Sequence, residues 1–195
     1  IGSFLEKGDE TLIEVSNFME AAEFAIDQIM INDKIDTQLI KNIHKELFVG
    51  LSRWKNKNGK FRNINVQIEN ANGYLFFPMA HGEKLNAAIK KLNQWFQKTN
   101  SWDPIVAIAA YHYQFETIHP FNDGNGRLGR LLVVLQLVRL KVLREPLLTI
   151  SPWFEERRDQ YQDELLHLSA TGDFDRWVAF FCMAVRDQAI ERSNK

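Results

Sequence analysis

The run from Leu128 to Leu140 restricts the fold of this chain more than any other segment. Leu128, Leu131, Leu132, Val133, Val134, Leu135, Leu137, Val138 and Leu140 spread apolar side chains all round a helix, interrupted by Arg130, Gln136 and Arg139. A helix with no polar face has to lie at the centre of other elements. A bilayer is not that surrounding, because a span needs about 20 apolar residues and this stretch is too short and too polar. The run must therefore be wrapped by further helices of the same chain. With 195 residues, one domain can bury a core without disulfides or metal staples.

The remaining pattern agrees. Gly (10) and Pro (5) are scarce, so few breakers interrupt the apolar periodicity. Helical spacing predicts helices over 10–31, 37–48, 83–98, 103–118, 126–141, 151–168 and 173–191. Asp103-Pro104 is an N-cap followed by proline at the first helical position. Between the second and third helices the period changes. From Asn63 to Glu69 polar and apolar residues alternate, which predicts a half-buried strand, and Tyr74–Phe77 is a short partner ended by Pro78. The expected fold class is all-α, about seven helices with one β-hairpin flap over 61–77.

Composition narrows the function classes. Lys+Arg (24) and Asp+Glu (25) leave a formal net charge of −1, so no nucleic-acid partner is expected. Cys182 is the single cysteine, which excludes an internal disulfide and a cysteine-based zinc site. Residues 1–15 lack the apolar region of a signal peptide, so a cytoplasmic protein with no membrane partner is expected. The first residue is Ile, which suggests a fragment or a trimmed chain.

The chemistry is concentrated where the apolar run begins. His119-Pro120-Phe121-Asn122-Asp123-Gly124-Asn125-Gly126-Arg127-Leu128-Gly129-Arg130 sets polar groups and glycines ahead of the buried helix. A helix N-terminus offers free N–H groups and a positive dipole end, and glycine lets an anion approach the backbone closely. Arg127 and Arg130 are spaced to share a helix face and can grip one polyphosphate. Asp123 is a hard oxygen ligand suited to Mg²⁺ on phosphates. His119 can act as a base beside that site. Gly124-x-Gly126-x-x-Gly129 also fits a dinucleotide fingerprint, but that motif needs a strand before its first glycine and here a helix precedes. His112, Glu116 and His119 could share one helix face as metal ligands, but no fourth ligand is visible and Pro120 disrupts the face.

This 12-residue segment resembles the signature of the Fic family, H-P-F-x-[D/E]-G-N-G-R-x-x-R, at every defined position. The similarity extends to Gln114–Ile118, to Gly59-Lys60-Phe61-Arg62 with the hairpin after it, to Ser151–Tyr161 and to Gly172–Trp177. It covers about residues 35–190, so a Fic domain is expected over 35–195 after an N-terminal helical segment, 1–34. The resemblance implies a protein adenylyltransferase that moves AMP from ATP to a Tyr, Ser or Thr hydroxyl with Mg²⁺. His119 would be the base, and Asp123 would hold the metal. Gly124, Asn125 and Gly126 would form the anion hole, Arg127 would meet the β-phosphate and Arg130 the γ-phosphate. Phe121 would lock the loop by packing. Gly73, Tyr74, Leu75 and Phe76 of the flap would align the target, and Tyr161 would lie by the adenine.

One departure stands out. Many relatives carry an inhibitory helix, [S/T]-x-x-x-E-[G/N], whose Glu pairs with the second motif arginine, and no such sequence occurs here. Ser16-x-x-x-Glu20-Ala21 misses in the last position. The expectation is a free Arg130, with an inhibitory helix upstream or supplied in trans by an antitoxin-like partner. Other readings remain: a phosphotransferase of the Doc type, which would carry Lys in place of Gly126, a transferase using another nucleotide or phosphodiester donor, or a non-catalytic helical interaction module.

Overall fold

The computed structural model describes residues 2–51, 58–69, 73, 75–76, 78, 82–99, 101–143 and 148–193, with side chains from Glu10 onward except that of Leu75. The apolar run is helix α5 (Asn125–Arg139), buried all round, with Leu128, Leu132 and Leu135 wholly shielded. Helix α4 (Pro104–Ile118) packs along it, and α1 (Gly2–Asn32) and α2 (Thr37–Glu46) cover another side. Helix α3 (Glu83–Phe96) leans on α4 and α2. Helix α8 (Phe174–Ser193) covers α4 and carries α6 (Ser151–Glu156) and α7 (Arg158–Thr171). The described residues thus form an all-α fold, and none of its helices is long and apolar enough to cross a membrane.

Local chemistry sets the helix starts. Asp36 accepts from the Gln38 and Leu39 N–H groups and caps α2. Asp103 accepts from Ile105 and Val106 at the head of α4, with Pro104 in the first turn as the sequence predicts. Small residues bring helices close: Ala21 and Ala25 of α1 are fully buried in the common core. The Trp177 indole of α8 donates to the Ala109 carbonyl at 2.9 Å, tying α8 to the middle of α4.

Two expectations change. The predicted helix over 151–168 is two helices, because the backbone leaves helical geometry at Arg157 (φ −116°, ψ 32°), so eight helices are described rather than seven. The halves have separate anchors on α8. Trp153 donates to Asp187 at 3.0 Å, and Arg176 forks onto both Glu164 oxygens at 2.7 and 2.9 Å. The predicted strand over 63–69 is also shorter. Only β1 (Ile68–Glu69) is laddered, antiparallel to β2 (Leu75–Phe76), with Ile68 opposite Phe76. Arg62 donates to the Ile64 carbonyl at 2.8 Å, engaging an acceptor that a neighbouring strand would need, and Ile64 is exposed. Tyr74 and Phe77 lie outside the described residues.

Helices α4 and α5 lie close together at Gly129. A Cβ there would run into the Glu116 carboxyl and lie 3.2 Å from the Phe115 ring. Alanine raises helix propensity by about 1 kcal/mol, but overpacking a tight core costs about 1–3 kcal/mol. Gly129→Ala is therefore expected to lower the urea midpoint at unchanged m-value, and a raised midpoint would contradict this packing.

Candidate active site at the start of the central helix

The loop between α4 and α5 is held by side chains from distant parts of the chain. Helix α4 ends at His119, whose backbone is left-handed (φ 48°, ψ 62°), an uncommon conformation for a residue with a side chain. Arg62 stabilises it. Its Nε donates to the His119 carbonyl at 2.8 Å, its Nη2 to Ile118 at 3.4 Å, and its backbone N–H to Pro120 at 2.9 Å. Carbonyls at a helix C-terminus have no intrahelical donor, and a buried guanidinium supplies one here.

Phe121 turns into the core as expected and is fully buried. Its ring stacks on His44 of α2 (3.7 Å, 7°) and meets the edge of Phe61. The Asn125 side chain closes the loop, accepting from the Phe121 N–H and donating to the Phe121 carbonyl, both at 2.9 Å. Asn125 is thus committed through its side chain, and only its backbone N–H is left for an anion. Gly124 caps α5 at φ 75°, with its N–H turned to Asp123 Oδ1 at 2.6 Å. A Cβ at Gly124 would fall 2.7 Å from the Phe48 ring, so the position requires glycine for both conformation and space.

These residues open onto a cleft of about 510 Å³, lined by His119, Asp123, Gly126, Arg127, Arg130 and Tyr161 among others. Phe76 of β2 reaches it, whereas Gly73 is exposed and is not among its lining residues. Of the other flap positions, only the backbone of Leu75 is described. Tyr161 contributes its ring, because its hydroxyl shares a 2.8 Å hydrogen bond with His112 Nε2.

The His119 ring has a defined tautomer. Its Nδ1 lies 3.3 Å from the Glu116 carbonyl and donates to it, which makes Nε2 the basic nitrogen. Burial pushes the His119 pKa down to about 4, helped by the Arg62 charge and opposed by the Glu116 carbonyl and Asp123. The imidazole is therefore neutral at physiological pH.

Arg130 is not left free, contrary to the expectation drawn from the missing inhibitory sequence. Its Nη2 meets Glu155 Oε1 at 2.6 Å and its Nε donates to Ser151 at 3.2 Å, both from α6. Arg127 approaches Glu14 of α1 at 3.4 Å and lies over the Phe48 ring at 4.8 Å. Sequence spacing shows neither carboxylate, since both arrive through helix packing.

The comparisons with known proteins point the same way. The Fic/DOC family profile matches residues 34–137. The chain belongs to the Fic/DOC family. It is 38% identical over 126 residues to the protein adenylyltransferase fic-1 of Caenorhabditis elegans, a match covering 62% of this chain and 22% of that protein. Its match to the Caenorhabditis briggsae fic-1 is 35% identical over 127 residues, again covering 62% of this chain and 22% of the relative. The chain thus spans about a fifth of the length of these curated relatives. Among solved structures, a Fic family protein from Desulfovibrio desulfuricans superposes with TM-score 0.79 at 28% identity, covering 93% of this chain and 53% of that one. A Caenorhabditis elegans Fic-1 fragment shares the fold with TM-score 0.74 at 24% identity, over 93% and 51% of the two chains.

Within this Fic domain, Glu116 also faces the cleft, a role its spacing alone does not reveal. Its carboxyl is buried with Oε1 unpartnered, and burial raises its pKa to about 7 against the opposing pull of Arg130. The folded state holds this proton more tightly than the unfolded chain, so stability falls as pH rises from about 4.5 to 7. The shift amounts to about 3 kcal/mol. Glu116→Gln should accordingly gain stability relative to the native chain between pH 5 and pH 8, as read by denaturant titration at each pH. A difference that stays constant with pH would exclude the buried-acid assignment.

Proposed function

We propose that this Fic domain transfers AMP from ATP to a Tyr, Ser or Thr hydroxyl of a target protein. The observation that carries the reading is the placement of the neutral His119 beside the first turn of α5, in a cleft that also holds Arg127 and Arg130. His119 Nε2 accepts the proton of the target hydroxyl. The freed oxygen attacks the α-phosphorus, an O–P bond forms, and the bond to the bridging oxygen breaks to release pyrophosphate. Backbone N–H groups at the start of α5 meet the charge on the phosphoryl oxygens, and each such donor is worth about 3 kcal/mol in a preorganised site. Arg127 and Arg130 exchange Glu14 and Glu155 for the outer phosphates.

Asp123 fits a divalent cation, being an exposed carboxylate at the mouth of the cleft with one oxygen steadied by the Gly124 N–H. Asp123 would hold Mg²⁺ there, and the ion would supply charge neutralisation for the phosphates. The β1–β2 flap aligns the target by strand addition, with Phe76 at the cleft. Gly126 favours AMP transfer over transfer of the terminal phosphate. A Cβ at this position would come to 3.0 Å from Arg130 Nη1, so a lysine would crowd the arginine meant for the γ-phosphate.

Two parallel reactions decide the group transferred. Label should reach protein from ATP marked at the α-phosphate and not from ATP marked at the γ-phosphate, and the reverse result would make the chain a phosphotransferase. His119→Ala should lower kcat by about 10²–10⁴-fold while nucleotide affinity is retained, since the ring acts on the acceptor. Loss of nucleotide binding in the folded variant would remove His119 from the acceptor side. The acid limb of kcat/KM, which reports the free enzyme, should lie near 4, with activity falling as pH drops through that value. A limb at the ordinary histidine value of about 6.5 would contradict the buried environment of the base.

A further inference from the structure

His44 lies on α2, outside the signature segment, and makes two contacts with the loop and one with the segment that leads to the flap. Its Nε2 is 3.0 Å from the Asp123 carbonyl. Its Nδ1 accepts from the Gly59 N–H at 2.9 Å. Its face is stacked on Phe121 at 3.7 Å. The partners fix the tautomer. A backbone N–H can only donate, so Nδ1 is unprotonated, and the carbonyl can only accept, so Nε2 carries the proton. One neutral ring thus satisfies both backbone groups, and a cation could not keep the Gly59 bond.

Gly59 begins the segment that leads through Arg62 to β1. It approaches α2 so closely that a Cβ would lie 3.0 Å from the Lys41 carbonyl and 3.1 Å from Lys45 Cβ. The ring therefore joins the foot of the flap segment to the backbone of Asp123 on the opposite side.

From this geometry we propose that His44 is a positioning residue for the transfer site. Its Nε2–H sets the Asp123 peptide, and with it the carboxylate and the start of α5, in register with the flap segment. The inference rests on the AMP-transfer reading. Asp123 is followed by Gly124, whose carbonyl accepts the first turn's bond from Leu128 at 3.0 Å, so a rotated Asp123 peptide disturbs the head of α5 directly. Groups that orient a metal-binding carboxylate typically change affinity or activity by about 10–100-fold when removed.

Two variants separate positioning from packing. Asparagine places an amide oxygen near the Nδ1 position, and glutamine places an amide N–H near the Nε2 position. His44→Asn keeps the Gly59 bond and loses the Asp123 bond, and His44→Gln does the opposite. Each removes one hydrogen bond and the stacked ring, so a merely structural role predicts similar losses. The expected result is about a 10–100-fold lower kcat and weaker Mg²⁺-dependent ATP binding by calorimetry in His44→Asn, with substantial retention of both in His44→Gln. Equal losses in the two variants, or no loss in either, would overturn the proposal. Nitrogen-15 shifts of the imidazole in the nucleotide-free protein give a reading independent of activity and of variant folding. They should report protonated Nε2 and bare Nδ1, and the opposite tautomer would also overturn it. If the native chain transfers no α-label, the function proposed above fails, whereas the tautomer result still judges the geometry at His44.

Discussion

The guanidinium of Arg62 is the contact on which the loop most depends. Helix α4 could not stop at His119 in a left-handed conformation with its last carbonyls buried unless a donor met them. Arg62 donates to Ile118, His119 and Ile64 from one rigid fork, and its own N–H takes Pro120. Direction follows from that. The chain leaves α4 with Phe121 aimed into the core, and the His119 ring is held against Glu116. The same arginine disposes of a flap-side carbonyl, so the end of α4 and the path towards β1 are set by one side chain.

The loop backbone is satisfied mainly by side chains rather than by itself. His44 takes the Asp123 carbonyl, and Asn125 takes both polar groups of Phe121. Arg62 takes His119 with its guanidinium and Pro120 with its backbone N–H. Consequently the first-turn N–H groups of α5 remain as donors without an intrahelical partner, at the positive end of a helix immobilised by burial on all sides. Donors that are fixed before an anion arrives need no reorganisation when charge develops, which is the condition for strong electrostatic stabilisation. The apolar character of α5 and the polarity of its entrance belong together: the core fixes the helix, and its free N–H groups are fixed with it.

Much of this was legible along the chain. The all-round apolar run identified α5 as central, and Asp103-Pro104 marked the start of α4. The glycines and charged residues ahead of Leu128 stood out because a polar, glycine-rich turn leads straight into a helix that is apolar all round. What could not be read depends on partners distant in sequence. Arg62 lies 57 positions before the carbonyl that it caps, and His44 lies 79 before Asp123. Glu155 and Glu14 are ordinary surface-type residues until α6 and α1 dock. The alternation over 63–68 has strand period, yet period alone does not create a ladder, and a carbonyl engaged by Arg62 is withdrawn from pairing.

The carboxylates on the two motif arginines differ in what they contribute. Arg127 and Glu14 are both partly solvated, at 3.4 Å, and pairs of this kind are worth about 0–1 kcal/mol. The Arg130 side chain is only 10% exposed, its bond to Glu155 is 2.6 Å long, and Ser151 shares the guanidinium. Losing a partner there without replacement leaves a charge nearly buried, which is costly, so Arg130 needs an anion at all times. Glu155 is 52% exposed and regains water on release. A phosphate that enters the cleft therefore replaces a solvated carboxylate rather than filling an empty guanidinium, and its higher charge and several acceptor oxygens favour the exchange. Glu155 thus orders and aims the second arginine, and it is the partner that the nucleotide of the proposed reaction would displace.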